Sequence, residues 1–171
     1  MSLSPVLRSR LEIRGVTCSN DPEFIKVVPW TRFTPAICAS MIGIATALAF
    51  TPLLWVMVSI AALGAIFPRH PFDFVYNHGV RYLTKTQPLP MNAAPTRFAC
   101  GLASVWLVAT AVAFTLGPAW LGYTLGGALT SVAALVSITH FCIPSTVYQL
   151  LFGDRSAAYD ALAGELRGER A

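Results

Sequence analysis

Residues 33–68 read FTPAICASMIGIATALAFTPLLWVMVSIAALGAIFP, and none of these 36 residues is Asp, Glu, Lys or Arg. A second charge-free window covers the 42 residues 98–139. Only 12% of the 171 residues are charged, whereas soluble domains carry roughly a quarter. Because one helix crosses a bilayer with roughly 20 apolar residues, each window is long enough for two crossings. The composition therefore predicts an integral membrane protein.

Each window breaks once near its middle, at Thr51-Pro52 and at Gly117-Pro118. Proline is tolerated in the first turn of a helix because the N–H that it lacks would be unpaired there. We therefore expect an all-α membrane protein with four transmembrane helices arranged as two tight hairpins. The helices are predicted near residues 34–50, 53–68, 98–115 and 119–141.

The two hairpins resemble each other in sequence. Residues 31–55 read TRFTPAICASMIGIATALAFTPLLW and residues 96–120 read TRFACGLASVWLVATAVAFTLGPAW. Each copy starts with Thr-Arg-Phe, and each is followed by a His and then a Val-Tyr pair. Two copies that enter the membrane from the same side form a parallel repeat about an axis along the membrane normal.

The twenty charged residues fall in three segments, 1–32, 69–97 and 154–171. The first two carry net charges of +2 and +3 and the third carries −1. Since positive segments stay in the cytoplasm, we expect a multi-pass membrane protein with both termini cytoplasmic. The predicted divisions are a cytoplasmic segment 1–32, hairpins 33–68 and 98–142, a connector 69–97 and a cytoplasmic tail 143–171.

The connector contains PFDFVYNHGVRYLTK, residues 71–85, with apolar residues at helical spacing and flanking Arg81 and Lys85. This pattern predicts a helix lying in the membrane interface, with an irregular loop as the alternative. The tail stretch SAAYDALAGELRGER predicts a short C-terminal helix, which its two glycines weaken.

Small residues recur at four-residue spacing on the first and fourth predicted helices. Such ridges let helix backbones approach closely within a membrane. They predict packing inside this chain, with docking onto another membrane subunit as the alternative. The residues are Ala39, Gly43, Ala47, Gly122, Gly126 and Thr130.

His70 and His140 occupy related places in the two copies, so each is a candidate cofactor ligand. No helix pairs a His with a carboxylate three or four residues away, as catalytic metal sites usually do. We predict no resident metal or other cofactor, while haem, chlorin or a metal ion at His140 stays open. Catalytic motifs such as G-x-S-x-G or a phosphate loop are also missing from the sequence, which argues against an enzyme. No nucleic-acid partner is expected.

The stretch SITHFCIPSTVYQL, residues 137–150, ends the second charge-free window. Together with Arg97-Phe98-Ala99 and Val80-Arg81, it resembles a bacterial family of short membrane proteins of unknown function. In that family the last helix ends in a pattern like F-C-x-G-C-x-x-Y. The resemblance covers roughly residues 30–150 and implies a possible dithiol at this place. Here Pro144-Ser145 replaces Gly-Cys, so Cys142 lacks its near partner and Pro144 is expected to stop the helix.

Two functional hypotheses follow. The first is a non-catalytic accessory subunit packed against a larger inner-membrane complex of respiratory or photosynthetic type. The second is a membrane thiol-redox or cofactor-binding protein centred on Cys142 and His140. Against the second stands the expectation that Cys142 lies at a helix C-terminus, where the partial negative charge disfavours a thiolate. Cys38 and Cys100 are expected to act as small buried hydrophobes.

Overall fold

The computed structural model describes residues 3–19 and 21–153, and within those ranges all regular secondary structure is helical. Apolar, charge-free runs form the long helices, and Pro in the first turn starts most of the elements. The α-helices are α1 (Pro5–Ile13), α2 (Pro22–Val27), α3 (Phe33–Ala47), α4 (Thr51–Ile66), α5 (Pro71–Val75), α6 (Arg81–Thr84), α7 (Ala94–Leu116), α8 (Ala119–Thr139) and α9 (Ile143–Phe152). A 3₁₀ segment (Val28–Arg32) joins α2 to α3, and a π-helical turn (Tyr76–Val80) joins α5 to α6.

Helices α3, α4, α7 and α8 form a four-helix bundle. Helix α4 packs most extensively against α7, and α3 against α8, while the contact between α3 and α4 is smaller. Apolar side chains from all four helices meet along the bundle axis, including Ile42, Leu54, Met57, Leu107 and Leu129. This arrangement leaves the outer faces apolar and open, as helices that face lipid require.

Two of these helices, α7 with 23 residues and α8 with 21, are long and apolar enough to cross a membrane. Helix α4 joined to the segment Pro71–Thr84 would be a third span, but the two parts meet at 85°. The prediction of four transmembrane helices is therefore not confirmed. Helices α3 and α4 have only 15 and 16 residues, and a full crossing needs about 20. Ala49, at φ 48°, lies in the turn between them.

The connector is helical from Pro71 to Thr84, through the π-helical turn. Tyr76 is fully buried there and contacts Trp30 and Phe33, with ring centroids 5.5 and 5.6 Å away. The Asn77 side chain accepts a hydrogen bond from the Leu89 N–H at 2.9 Å. These contacts fix the connector against the segment that leads into α3. The predicted helix in SAAYDALAGELRGER lies outside the described residues.

The exit from α8 differs from the expected one. Helix α8 ends at Thr139, and His140 follows in the left-handed conformation, with φ 59°. The chain is then extended through Cys142, which is the N-cap of α9. Pro144 lies in the first turn of α9, where its missing N–H costs nothing, so it starts a helix and does not stop one. The expectation that Cys142 lies at a helix C-terminus is therefore wrong.

Arginines close the carboxyl ends of the two returning helices of the bundle. Arg97 donates from Nε to the Ala65 carbonyl at 2.9 Å and from Nη2 to the Ile66 carbonyl at 2.7 Å, at the end of α4. Arg10 donates from Nη1 to the Thr139 carbonyl at 2.9 Å, at the end of α8. A cation there pairs with the partial negative charge of the helix terminus.

The small residues of α3 and α8 lie against each other at two levels. A methyl group built on Gly126 would come within 2.3 Å of Thr46 Oγ1, and one on Gly43 within 3.1 Å of Thr130 Cγ2. Ala39 is buried, whereas Ala47 is exposed. Gly122 faces a different neighbour, because a methyl group there would meet the ring of Phe114 at 2.7 Å.

Candidate functional site

A cavity of about 650 Å³ opens at the end of the bundle where α1, the connector and α9 meet. Its volume lies within the range of small-molecule sites, roughly 300–1,000 Å³. The walls are formed mainly by apolar side chains of α3, α7 and α8. Its polar lining residues include Arg14, Thr34, His70, Asp73, Asn92 and Thr96, which lie at or near helix ends.

Three of the four cysteines line this cavity: Cys38 from α3, Cys100 from α7 and Cys142 from the start of α9. Cys142 and Asp73 lie near enough to Cys100 for their charges to affect it. Cys100 in turn lies near enough to Cys38 to affect it in this way. All four cysteines are free thiols. The fold thus brings together three thiols that are at least 40 residues apart in the sequence.

Cys142 is held by the first turn of α9. The Ser145 hydroxyl lies 3.2 Å from Cys142 Sγ and also 3.2 Å from the Pro95 carbonyl, so its single proton serves one acceptor at a time. The N-terminal end of a helix carries partial positive charge, which favours an anion such as a thiolate. Cys142 therefore faces electrostatics of the opposite sign to those expected from the sequence. The thiol is 9% exposed, and it lies against the cavity.

His140 lies in a buried polar network beside the cavity. Its Nε2 accepts a hydrogen bond from Arg32 Nε at 2.6 Å, and its Nδ1 lies 3.3 Å from Thr31 Oγ1. Since the Thr31 hydroxyl donates to the Val28 carbonyl at 2.7 Å, Nδ1 carries the proton and donates to Thr31. Burial, reinforced by Arg32, Arg14 and Arg10, lowers the pKa of His140 to about 3. Both ring nitrogens are engaged, so a haem or metal ligand here would have to displace Arg32 or Thr31.

His70 is the N-cap of α5 and lines the cavity directly. Its Nδ1 accepts from the Phe72 N–H at 3.3 Å, and its own backbone N–H donates to Asp73 Oδ2 at 3.0 Å. A methyl group on Gly64 would lie 3.1 Å from His70 Nε2 and 3.4 Å from Cys100 Sγ, so both groups lie next to Gly64. The Asp73 carboxylate also accepts from Thr34 Oγ1 at 2.5 Å.

Metal binding finds little support in this geometry. Among residues 3–19 and 21–153, no three His, Cys, Asp or Glu side chains are placed to hold one metal ion. The two histidines also lie in different surroundings, one bonded to Arg32 and the other beside Cys100 and Asp73. The site is therefore a group of three thiols that line a largely apolar cavity.

Residues 28–152 match the family described as domain of unknown function DUF4395. The chain belongs to this family. No curated protein and no solved structure matches the chain. The DUF4395 region includes α3 to α9 and hence Cys38, Cys100 and Cys142, whereas Arg10 and Arg14 precede it.

Several residues of the DUF4395 site do not stand out in the sequence. The spacing of Cys142 and Ser145 can be seen in the sequence. Whether the two side chains are neighbours depends on where α9 begins. Arg14 and Asp73 carry no motif, and Cys100 lies within a charge-free helix. The local signal for this site is Pro144, because proline at the second helical position favours a helix that starts at Ile143.

Proposed function

We propose that this DUF4395 protein is a membrane thiol-redox protein in which Cys142 is the reacting thiol. The observation that supports this most strongly is the position of Cys142 as the N-cap of a ten-residue helix, against the cavity and beside the Ser145 hydroxyl. Reactive thiols are characteristically found at helix N-termini. The Arg14 guanidinium lines the same cavity and adds positive charge.

The proposed reaction is thiol–disulfide exchange with a small or apolar disulfide that enters the cavity. The Cys142 thiolate attacks one sulfur of the substrate disulfide, which forms a mixed disulfide and releases the other sulfur as a thiolate. Ser145 stands where a second cysteine would resolve this species, and a hydroxyl cannot do so. Cys100 lines the same cavity, and its sulfur then attacks Cys142 Sγ as its proton passes to the departing substrate sulfur, which forms a Cys100–Cys142 disulfide and releases the second substrate thiol. Two electrons pass to the substrate, and a dithiol donor returns the protein to its reduced state.

A small aromatic disulfide, 4,4′-dithiodipyridine, tests both steps because each released thiopyridone absorbs light. The wild-type protein in mild detergent should release two equivalents in a fast phase, and Cys100→Ser should release one. Cys142→Ser should lose the fast phase. Cys18→Ser is the matched control, since Cys18 lies outside this cavity. A fast phase that survives in Cys142→Ser would refute the proposal, and two fast equivalents from Cys100→Ser would refute the resolving role.

Within the membrane we propose the topology expected from charge, with two hairpins, both termini on the cytoplasmic side of a bacterial inner membrane and the cavity facing the cytoplasm. The pairing of α3 with α8 and of α4 with α7 is what two copies related by a two-fold axis would give. Arg32 and Arg97, which match in the two sequence copies, each contact the end of the opposite hairpin's second helix. Helix α3 extended by Val28–Arg32 and helix α4 would complete the four crossings if the bilayer is locally thinned.

A second candidate function is the accessory subunit of a larger inner-membrane complex. The supporting observation is the apolar outer surface of α7 and α8, where Leu116, Trp120 and Ile138 are 86%, 65% and 70% exposed. Lipid alone would also cover such a surface, so this feature supports the function less strongly. Extraction in mild detergents followed by native electrophoresis tests it. A single band at the size of the lone chain under all such conditions would contradict it.

A further inference from the structure

We propose that the cavity binds an amphipathic lipid acid, with its acidic head group paired to Arg14 and its hydrocarbon chain lying along α7 toward Trp106. This binding would occupy the same cavity as the proposed thiol chemistry, but it does not depend on that chemistry. The inference comes from an arginine at one end of the cavity and a long apolar wall beyond it.

Arg14 is the residue that would pair with the acidic head group. Its Nη1 is buried and has no hydrogen-bond partner in the described part of the chain, and the side chain lines the cavity. The nearby Arg32 already donates to His140, and Arg10 donates to the Thr139 carbonyl. A guanidinium N–H buried without an acceptor is costly, so the site favours a ligand that brings an anionic oxygen.

The backbone holds Arg14 at this place. Arg14 is the C-cap of α1, and Gly15 after it has φ 81°, which only glycine adopts freely. The Arg14 carbonyl accepts a hydrogen bond from Thr96 Oγ1 at 2.8 Å, which ties it to the first turn of α7. The guanidinium therefore stays at the level where α7 begins.

Beyond this polar end the cavity runs along α7 and α8. Its lining reaches from Thr96 to Trp106 on α7, ten residues further on, which is about 15 Å of helix rise. The small side chains of Ala99, Ala103 and Ala133 leave the space open. A small inorganic anion would leave this apolar volume unfilled, and a neutral hydrocarbon would leave Arg14 unpaired. An acid with a long alkyl chain satisfies both ends.

Among the described residues that line the cavity, Asp73 is the one carboxylate, and its oxygens are already occupied. One accepts from Thr34, and the other accepts from the His70 backbone N–H and, at 3.4 Å, from Asn92 Nδ2. These donors stabilise the carboxylate in place, so Arg14 is left to the ligand. A cationic head group would meet Arg14 with like charge and is disfavoured.

The test uses delipidated full-length protein in a non-ionic detergent and three sixteen-carbon probes: hexadecanoate, hexadecyl phosphate and hexadecanol. Binding is measured by equilibrium dialysis of radiolabelled probe. We expect saturable binding of at least one acid and at least tenfold weaker binding of the alcohol. Preference between the two acids indicates whether the natural head group is a carboxylate or a phosphate.

Two variants act on opposite ends of the site. Arg14→Gln removes the charge, and Ala103→Trp fills the apolar part while keeping Arg14. Each should weaken binding of the preferred acid at least tenfold, whereas the exposed Lys85→Gln should leave it unchanged. Arg14→Lys, which keeps the charge, should restore part of the affinity and so controls for misfolding. The dialysis assay involves no thiol reaction and the thiopyridone assay involves no lipid, so the two proposals can fail separately.

Three outcomes would overturn the inference. They are equal binding of the alcohol and the acids, no saturable binding of either acid, and full affinity in both Arg14→Gln and Ala103→Trp.

Discussion

Gly126 and Gly127 are neighbours in α8, yet the structure predicts opposite effects when each is changed to alanine. A methyl group on Gly126 would lie 2.3 Å from Thr46 Oγ1, 2.5 Å from Thr46 Cγ2 and 3.0 Å from Thr46 Cβ. A methyl group on Gly127 would meet nothing within 4 Å. The pair therefore isolates the close contact between α8 and α3 from the general effect of replacing a helical glycine.

Helix propensity and overpacking together determine how each substitution changes the free energy of unfolding. Alanine favours a helix over glycine by about 0.5–1 kcal/mol, and this gain applies at both positions. Overpacking at Gly126 costs about 1–3 kcal/mol, because rotating Thr46 moves Oγ1 and Cγ2 but not Cβ. We expect Gly126→Ala to be less stable than Gly127→Ala by about 1–3 kcal/mol. Gly127→Ala itself should be neutral or slightly more stable than the wild type.

The free energy of unfolding is measured in mixed micelles by following the loss of helical circular dichroism with increasing dodecyl sulfate. Thr46→Ala provides the second arm of a double-mutant cycle, because it removes two of the three close atoms. Thr46→Ala itself should lose little stability from hydrogen bonding, since Thr46 Oγ1 is buried without a partner in the described residues. Gly126→Ala should be less damaging in the Thr46→Ala background, with a coupling of about 0.5 kcal/mol or more. Equal stabilities of Gly126→Ala and Gly127→Ala would refute the close contact.

Three further predictions concern the ends of the bundle. Arg97→Met should destabilise the protein by about 1.5–3 kcal/mol in the same assay, because the Ala65 and Ile66 carbonyls lose a charged donor, while Lys85→Met should have little effect. Burial and the three arginines lower the pKa of His140 to about 3, so the unfolded chain takes up a proton that the folded chain refuses. Stability should therefore fall as pH decreases from about 6.5 toward about 3, and the slope should be shallower in His140→Gln. Single cysteines at the exposed Gln87 and Gly117, in a background without native cysteines, should react with an impermeant maleimide from opposite sides of the inner membrane, and labelling of both from the same side would contradict the hairpin topology.

Local patterns predicted the helical architecture well, because they depend on neighbours in the chain. The absence of charge over residues 33–68 marked a helical pair, and Pro52 lies in the first turn of α4 as expected from its missing N–H. Pro118 is the N-cap that precedes α8. The same windows do not reveal the lengths of the individual helices, since composition alone does not show that α3 ends at Ala47, so the four predicted crossings are not confirmed. Hydropathy measures how apolar a stretch is, and not how much of it is one straight helix.

The site depended on contacts that no local pattern contains. Cys100 looks like an ordinary small residue in an apolar helix, and only the packing of α4 on α7 brings it beside His70. Arg14 lies before the DUF4395 region. The hydrogen bond from Thr96 Oγ1 to the Arg14 carbonyl holds it beside the cavity. A proline four residues after a histidine was interpreted as a stop. It could equally start the next helix, and the conformation of His140 decides between the two.

His140 and Cys142 are linked in the fold, because the conformation at His140 determines where α9 begins. The left-handed backbone at His140 ends α8, and its ring is held by Arg32 and Thr31 at the entrance to α3. This anchoring fixes the two-residue link that follows, so that α9 begins with Cys142 at the cavity. A histidine that stays neutral is suited to this place, because a protonated ring would repel Arg32. The histidine positions the helix, and the helix places Cys142 as its N-cap against the cavity.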